Sequence, residues 1–154
     1  NLSFVGYEIN NTAINKLKKD NIPYVENINN SEKYDNIVSI NVLEHIEDDT
    51  KILVKLSKIL KPRGKLILYL PHSMILWTEL DSLVGHHRRY TKKDLFDKLK
   101  KSNFEIDKVE YVDFIGSSIG SAAGFNSKPI GVIVVGRGVN CESGFSTTSL
   151  TFIL

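Results

Sequence analysis

Between Tyr34 and Leu70 two apolar runs flank one amphipathic stripe, and this alternation restricts the fold more than any other feature of the sequence. Ile37, Val38, Ile40 and Val42 form a run without strict period-two alternation, the pattern of a strand buried on both faces of a parallel sheet. Asp48, Asp49 and Thr50 then supply helix caps, and Ile52, Leu53, Leu56, Ile59 and Leu60 fall on one helical face. Lys61-Pro62-Arg63-Gly64 ends that helix, because Pro62 cannot extend it and Gly64 permits a tight turn. Lys65 to Leu70 is a second apolar strand, stopped by Pro71. Two such strands joined through a helix read as a right-handed crossover in a parallel sheet.

The flanking segments repeat the theme. Leu2 to Tyr7 reads as a short buried strand ending at Glu8. Asn10, Asn11 and Thr12 can cap a helix that presents Ala13, Ile14 and Leu17, with Asn21 as a left-handed stop and Pro23 barring continuation. Tyr24 and Val25 begin a weaker strand, and 27–33 is polar and loop-like. Residues 72–90 show no clear period. Thr91-Lys92-Lys93-Asp94 resembles a capping box and opens a helix with Leu95, Phe96 and Leu99 on one side. Ser102-Asn103 closes it, and Phe104 to Val112 is the next strand. Beyond Gly116 the composition turns to Gly, Ser and Ala. One further strand is expected at 130–135, and Cys141 to Ser149 gives no pattern on which to place regular structure.

Bulk properties narrow the function classes. A net charge of +2, with lysines interspersed among acids, makes no case for a nucleic-acid-binding face. No apolar run approaches the ~18 residues of a membrane-spanning helix. The single cysteine, Cys141, has no partner for an intrachain disulfide, which suits a reducing cytoplasm.

Three groups of residues could carry chemistry. Glu8 stands at the tip of a strand, where an acid can accept the ribose hydroxyls of an adenosine cofactor. Taken alone it reads equally well as a solvated carboxylate. Asn41 to His45 would lie at the carboxyl edge of the sheet, where open α/β sheets bind ligands. There Asn41 can hydrogen-bond a ligand, and Glu44 and His45 offer a carboxylate and a general base. Glu47, Asp48 and Asp49 are better read as acids that favour a helix N-terminus. His86, His87, Arg88, Arg89 and Tyr90 form the third group and suit a lid over an anionic or polar substrate. Pairing of Arg88 or Arg89 with Asp81 or Asp94 is an equal alternative. The adjacent histidines have no Cys or acid cluster at ligand spacing, so no metal is expected.

The runs YDNIVSINVLEHIEDD, LSKILKPRGKLILYLPH and GHHRRYTKKDLFDKLKKSNFEI, in that order, resemble class I S-adenosylmethionine (SAM)-dependent methyltransferases that act on small molecules. The resemblance implies an α/β, Rossmann-like, mostly parallel sheet with flanking helices, and methyl transfer from SAM to a small-molecule acceptor. It implies that Glu8 binds the cofactor ribose, that Glu26 or Asn27 contacts adenine, and that Asn41, Val42 and Leu43 line the methionine end. His45 or His86 would take the acceptor's proton, and Glu44, His87, Arg88 and Tyr90 would shape the acceptor site. Arg63 replaces a glycine usual in the family's turn, which is harmless if Arg63 avoids positive φ.

The family's first strand and its glycine-rich loop are not found before residue 2. The expected division is therefore a partial methyltransferase domain over 1–115 and an atypical tail over 116–154. Loss of the first strand would leave two inner sheet edges unpaired. Ile130 to Asn140, with Gly136-x-Gly138, could fill the gap as in a permuted chain. Two other readings stay open: a non-catalytic α/β module, and a fragment of an NAD-dependent oxidoreductase, since Glu8 would serve a ribose there too.

Overall fold

A computed structural model describes residues 3–112, 131–138 and 148–152. Its strands and helices are β1 (Ser3–Tyr7), α1 (Asn11–Lys19), β2 (Tyr24–Val25), β3 (Tyr34–Ile40), α2 (Asp49–Ile59), β4 (Leu60–Pro71), α3 (Glu79–Leu83), α4 (Lys92–Lys101), β5 (Phe104–Val112), β6 (Gly131–Gly138) and β7 (Thr148–Phe152). The strands form one sheet in the order β2-β1-β7-β3-β4-β6-β5. β1, β2, β3, β4 and β7 run parallel, and β6 runs antiparallel to both β4 and β5. Among the described residues no helix is long and apolar enough to cross a membrane.

The local chemistry explains the helices. Asn10 caps α1, its side chain accepting from the Thr12 and Ala13 amides, and Ile14 and Leu17 are buried. The chain then turns through Asn21 at φ 53°, as expected of a left-handed stop. Asp48 caps α2 through the Lys51 amide, and Leu53, Leu56 and Ile59 face the sheet with at most 2% exposure. Each such side chain contributes about 1.5–3 kcal/mol on burial. Thr91 caps α4, which buries Leu95 and Leu99 in the same core.

The turn expected at 61–64 lies inside β4, which begins directly after α2, and it differs from expectation in one further respect. Arg63 does adopt positive φ, at 62°. Gly64 is required for space instead: a Cβ there would stand 2.8 Å from the Lys61 carbonyl oxygen and 3.0 Å from that of Asp35. The turn forms a bulge in the β3–β4 ladder, where Tyr34 pairs with Leu60 and Asn36 with Lys65.

The larger correction concerns the centre of the sheet. The edges of β1 and β3 are not left unpaired, because β7 lies between them and runs parallel to both. The strand expected at 130–135 exists as β6, but it pairs antiparallel with β4 and β5 and does not fill the central gap. Residues 148 and 149, given no regular structure from sequence, begin β7. Residues 139–147 lie outside the described residues.

Candidate active site

The parallel strands end on one edge, and the chain order reverses there. The chain leaves β1 towards β2 on one side, and β3 towards β4 on the other, so the switch point lies at the carboxyl end of β7. Open α/β sheets bind their ligands at such a crevice. Glu8 follows β1, Asn27 follows β2 by two residues, and Asn41 follows β3. The fold thus brings the expected cofactor residues to the same edge.

Glu8 is 1% exposed. Its Oε1 accepts the Ile9 and Asn10 amides, both at 2.7 Å, and its Oε2 is buried without a hydrogen-bond partner. The strand end and the cap of α1 hold this carboxylate in place. One oxygen serves the turn and the other makes no hydrogen bond. Asn41 is exposed and adopts φ 50°, with its amide bound to the Tyr69 carbonyl. Asn27 is exposed as well, whereas Val42 and Leu43 are buried beneath the edge.

The LEH segment forms a short 3-10 turn, Leu43–His45. It directs the Glu44 side chain inward, where it is fully buried and neither carboxylate oxygen has a hydrogen-bond partner. Burial pushes the Glu44 carboxyl above the usual carboxylate range, opposed by the nearness of its own backbone amide and of His86 and Arg89. Burial likewise lowers His45, and His86 beside it adds to the effect. The rings of His45 and His86 meet edge to face at 4.6 Å.

The 72–90 segment folds around Asp81. Thr78-Glu79-Leu80-Asp81 makes a reciprocal capping box at the start of α3, so the Asp81 side chain faces inward at 2% exposure. It accepts two guanidinium hydrogen bonds from Arg89, at 2.8 and 2.9 Å, and faces His86 Nδ1 at 2.8 Å. The Arg89 guanidinium holds the Asp81 carboxyl well below its ordinary value, outweighing the opposing effect of burial. A cavity of about 450 Å³ opens beside this cluster, lined by Asn41, Glu44, Tyr69, Leu76, His86 and Arg89 among others. A second, of about 570 Å³, is lined by Asn10, Thr12, Ala13, Lys16 and His45.

Not every expected acceptor residue reaches a cavity. Tyr90 is 1% exposed, and its hydroxyl donates to the Leu43 carbonyl and stands 3.0 Å from Asp49 Oδ2. It belongs to the core rather than to a substrate wall. Arg88 pairs with Asp49 at 2.7 Å and donates to the Glu47 carbonyl. His87 is exposed, and its backbone amide ties the 72–90 segment to the Glu44 carbonyl. Asp49 does more than favour a helix N-terminus, since Arg88, Lys98 and Tyr90 all converge on it. Sequence reasoning missed Tyr69 as a cavity residue; the Arg89–Asp81 pairing that it kept as an alternative is present, whereas the contact of Asp81 with His86 and its capping box went unread. The Thr78-x-x-Asp81 spacing was the available signal for the box.

A reversing α/β sheet with a buried acid at a strand tip and cavities along its carboxyl edge defines a nucleotide-cofactor enzyme fold. The chain belongs to the methyltransferase-domain family Methyltransf_23, whose model matches residues 1–109, a family of SAM-dependent methyltransferases. That assignment removes the oxidoreductase reading. Solved structures of SAM-dependent methyltransferases share the fold. One from Mesorhizobium loti has a TM-score of 0.64 at 15% identity, over 88% of this chain and 90% of that one. A possible histamine N-methyltransferase from Thermotoga maritima gives 0.65 at 16%, over 89% and 82%. The N-methyltransferase NodS of Bradyrhizobium japonicum, solved with S-adenosylhomocysteine, gives 0.61 at 15%, over 89% and 66%. No curated protein sequence matches the chain.

Proposed function

We propose that this chain binds SAM and transfers its methyl group to a small-molecule acceptor. The observation that carries the reading is Glu8, a buried strand-tip carboxylate with one oxygen held by two backbone amides and the other unpartnered. That free oxygen suits a ribose hydroxyl. Asn27 would lie towards the adenine, with Asn41, Val42 and Leu43 along the methionine end. SAM supplies a sulfonium-bound methyl, and displacement at that carbon asks the protein chiefly for alignment. The acceptor would enter the cavity beside Asn41, Tyr69 and Arg89.

Where the acceptor must lose a proton, His86 is the better placed of the two histidines for an acceptor in this cavity. It lines the wall, and a carboxylate faces its Nδ1, which leaves Nε2 free to accept. His45, whose pKa burial lowers, is the alternative. Calorimetric titration of the protein with S-adenosylhomocysteine tests the reading. Binding is expected, and Glu8→Gln should weaken it at least about 10-fold, the ~1.4 kcal/mol of a lost hydrogen bond to a charged group. Absence of binding by folded protein would sink the proposal.

A non-catalytic α/β module, the remaining alternative, would show no cofactor binding in the same titration.

A further inference from the structure

Glu44, His45 and His86 each place one donor atom within 4.8 Å of the others. Glu44 is the anomaly among them. It is 0% exposed, and both its oxygens lack hydrogen-bond partners. A carboxylate so placed needs a proton or a cation, because an unpaired buried charge costs several kcal/mol. The nearest guanidinium does not meet this need, since Arg89 is bound to Asp81 through two hydrogen bonds.

His86 is held as a ligand would be. Its Nδ1 lies 2.8 Å from Asp81 Oδ1, while its Nε2 faces Glu44 Oε1 at 3.9 Å. A carboxylate on one ring nitrogen fixes the tautomer and leaves the other as a lone-pair donor, the usual outer support of a metal-bound imidazole. The gap of 3.9 Å is too long for a hydrogen bond. Donors bound to a zinc ion at ~2.0–2.2 Å lie roughly 3.4 Å apart in a tetrahedron, so side-chain movements of about 1 Å would close the set.

We propose that Glu44, His45 and His86 bind one divalent first-row transition metal ion, such as zinc, with Asp81 orienting His86. Two imidazoles and one carboxylate suit such an ion. Calcium and magnesium ask for more oxygen donors. Three protein ligands leave a coordination position open, and the adjoining cavity is lined by Glu44 and His86. On the methyltransferase reading, an acceptor hydroxyl would occupy that position. The metal would lower the hydroxyl's pKa, the proton would pass to solvent, and the oxygen would take the methyl as its bond to sulfur breaks. The histidines would then hold the ion rather than remove the proton.

The test needs neither cofactor nor acceptor. Metal-stripped protein is titrated with zinc chloride by calorimetry and with cobalt(II) by visible absorption. One ion per chain is expected, with ligand-field bands for cobalt and a higher melting temperature that EDTA reverses. Glu44→Gln and His86→Ala should each weaken binding at least about 100-fold, and Asp81→Asn about 10–100-fold. His72→Gln, outside the cluster, should leave it unchanged. Circular dichroism checks that each variant folds, and the melting shift of the unaltered protein needs no variant at all. Failure of the folded wild type to bind either ion overturns the site, as does wild-type affinity retained in both Glu44→Gln and His86→Ala. Zinc binding without S-adenosylhomocysteine binding would uphold the metal site and remove the cofactor reading.

Discussion

Replacing Asp49 by asparagine keeps the side chain's shape and removes its charge at the point where α2, α4 and the 72–90 segment meet. Asp49 is 2% exposed, and its oxygens lie 2.7 Å from Arg88, 2.6 Å from Lys98 and 3.0 Å from the Tyr90 hydroxyl. Removing one partner of a fully buried ion pair costs about 3–5 kcal/mol. Arg88 and Lys98 retain 24% and 28% side-chain exposure, so both can recover some hydration. The Tyr90 hydroxyl can still bond an amide oxygen. The expected loss is therefore about 2–3 kcal/mol, or a fall in Tm of roughly 5–10 °C for a chain of this size. Burial raises the Asp49 carboxyl, but hydrogen bonds from Lys98, Arg88 and Tyr90 together outweigh it and leave the group below its ordinary value. A carboxyl lowered by folding adds stability above its unfolded pKa of about 3.9, and that stability is lost as pH falls through the folded value. Urea denaturation followed by circular dichroism should show the full difference between wild type and Asp49→Asn at pH ~7, and progressively less of it below pH ~4. A difference under about 0.5 kcal/mol at neutral pH, the range of ordinary surface substitutions, would refute the buried-hub account. So would a difference that persists unchanged into acid.

Gly64→Ala should destabilise by about 1–3 kcal/mol in the same assay, because its Cβ meets backbone rather than a flexible side chain. Arg63→Gly should be neutral or stabilising, by up to about 1 kcal/mol, since it relieves a positive φ on a residue with a Cβ. Deleting residues 148–154 removes the strand between β1 and β3 and exposes both edges. The expected result is loss of a cooperative melting transition and concentration-dependent association on size-exclusion chromatography. A monomer that melts like wild type would overturn the central placement of β7.

The elements from Ser3 to Val112 were largely legible because their signals are local. Asn10, Asp48 and Thr91 cap helices where their side chains sit just before an apolar stripe. β3 and β4 read as strands from the apolar runs Ile37 to Val42 and Lys65 to Leu70, although the observed strands begin earlier, at Tyr34 and Leu60. The family resemblance was legible for the same reason: its motifs lie at strand ends, so their order along the chain carries the order of the sheet. Arg63 shows the limit of reading a turn from composition. The glycine beside it was expected to supply the unusual dihedral, but a neighbouring carbonyl needed the space and the strain fell on arginine.

The sequence by itself determined the α/β class, the family, and the placing of Glu8 and Asn41 at strand tips, since each rests on periodicity or on a motif a few residues long. Tertiary structure alone decided that β7 pairs between β1 and β3, while the more strand-like β6 goes to the antiparallel side. An apolar run specifies burial in a sheet but does not name its neighbours. Tertiary structure also decided that Tyr90 is core, that Asp49 is a hub, and that Glu44 and His45 face His86. Those meetings join residues some forty positions apart, and what fixes them is the path of the 72–90 segment back over the sheet edge, held by Asp81 and by the His87 amide on the Glu44 carbonyl.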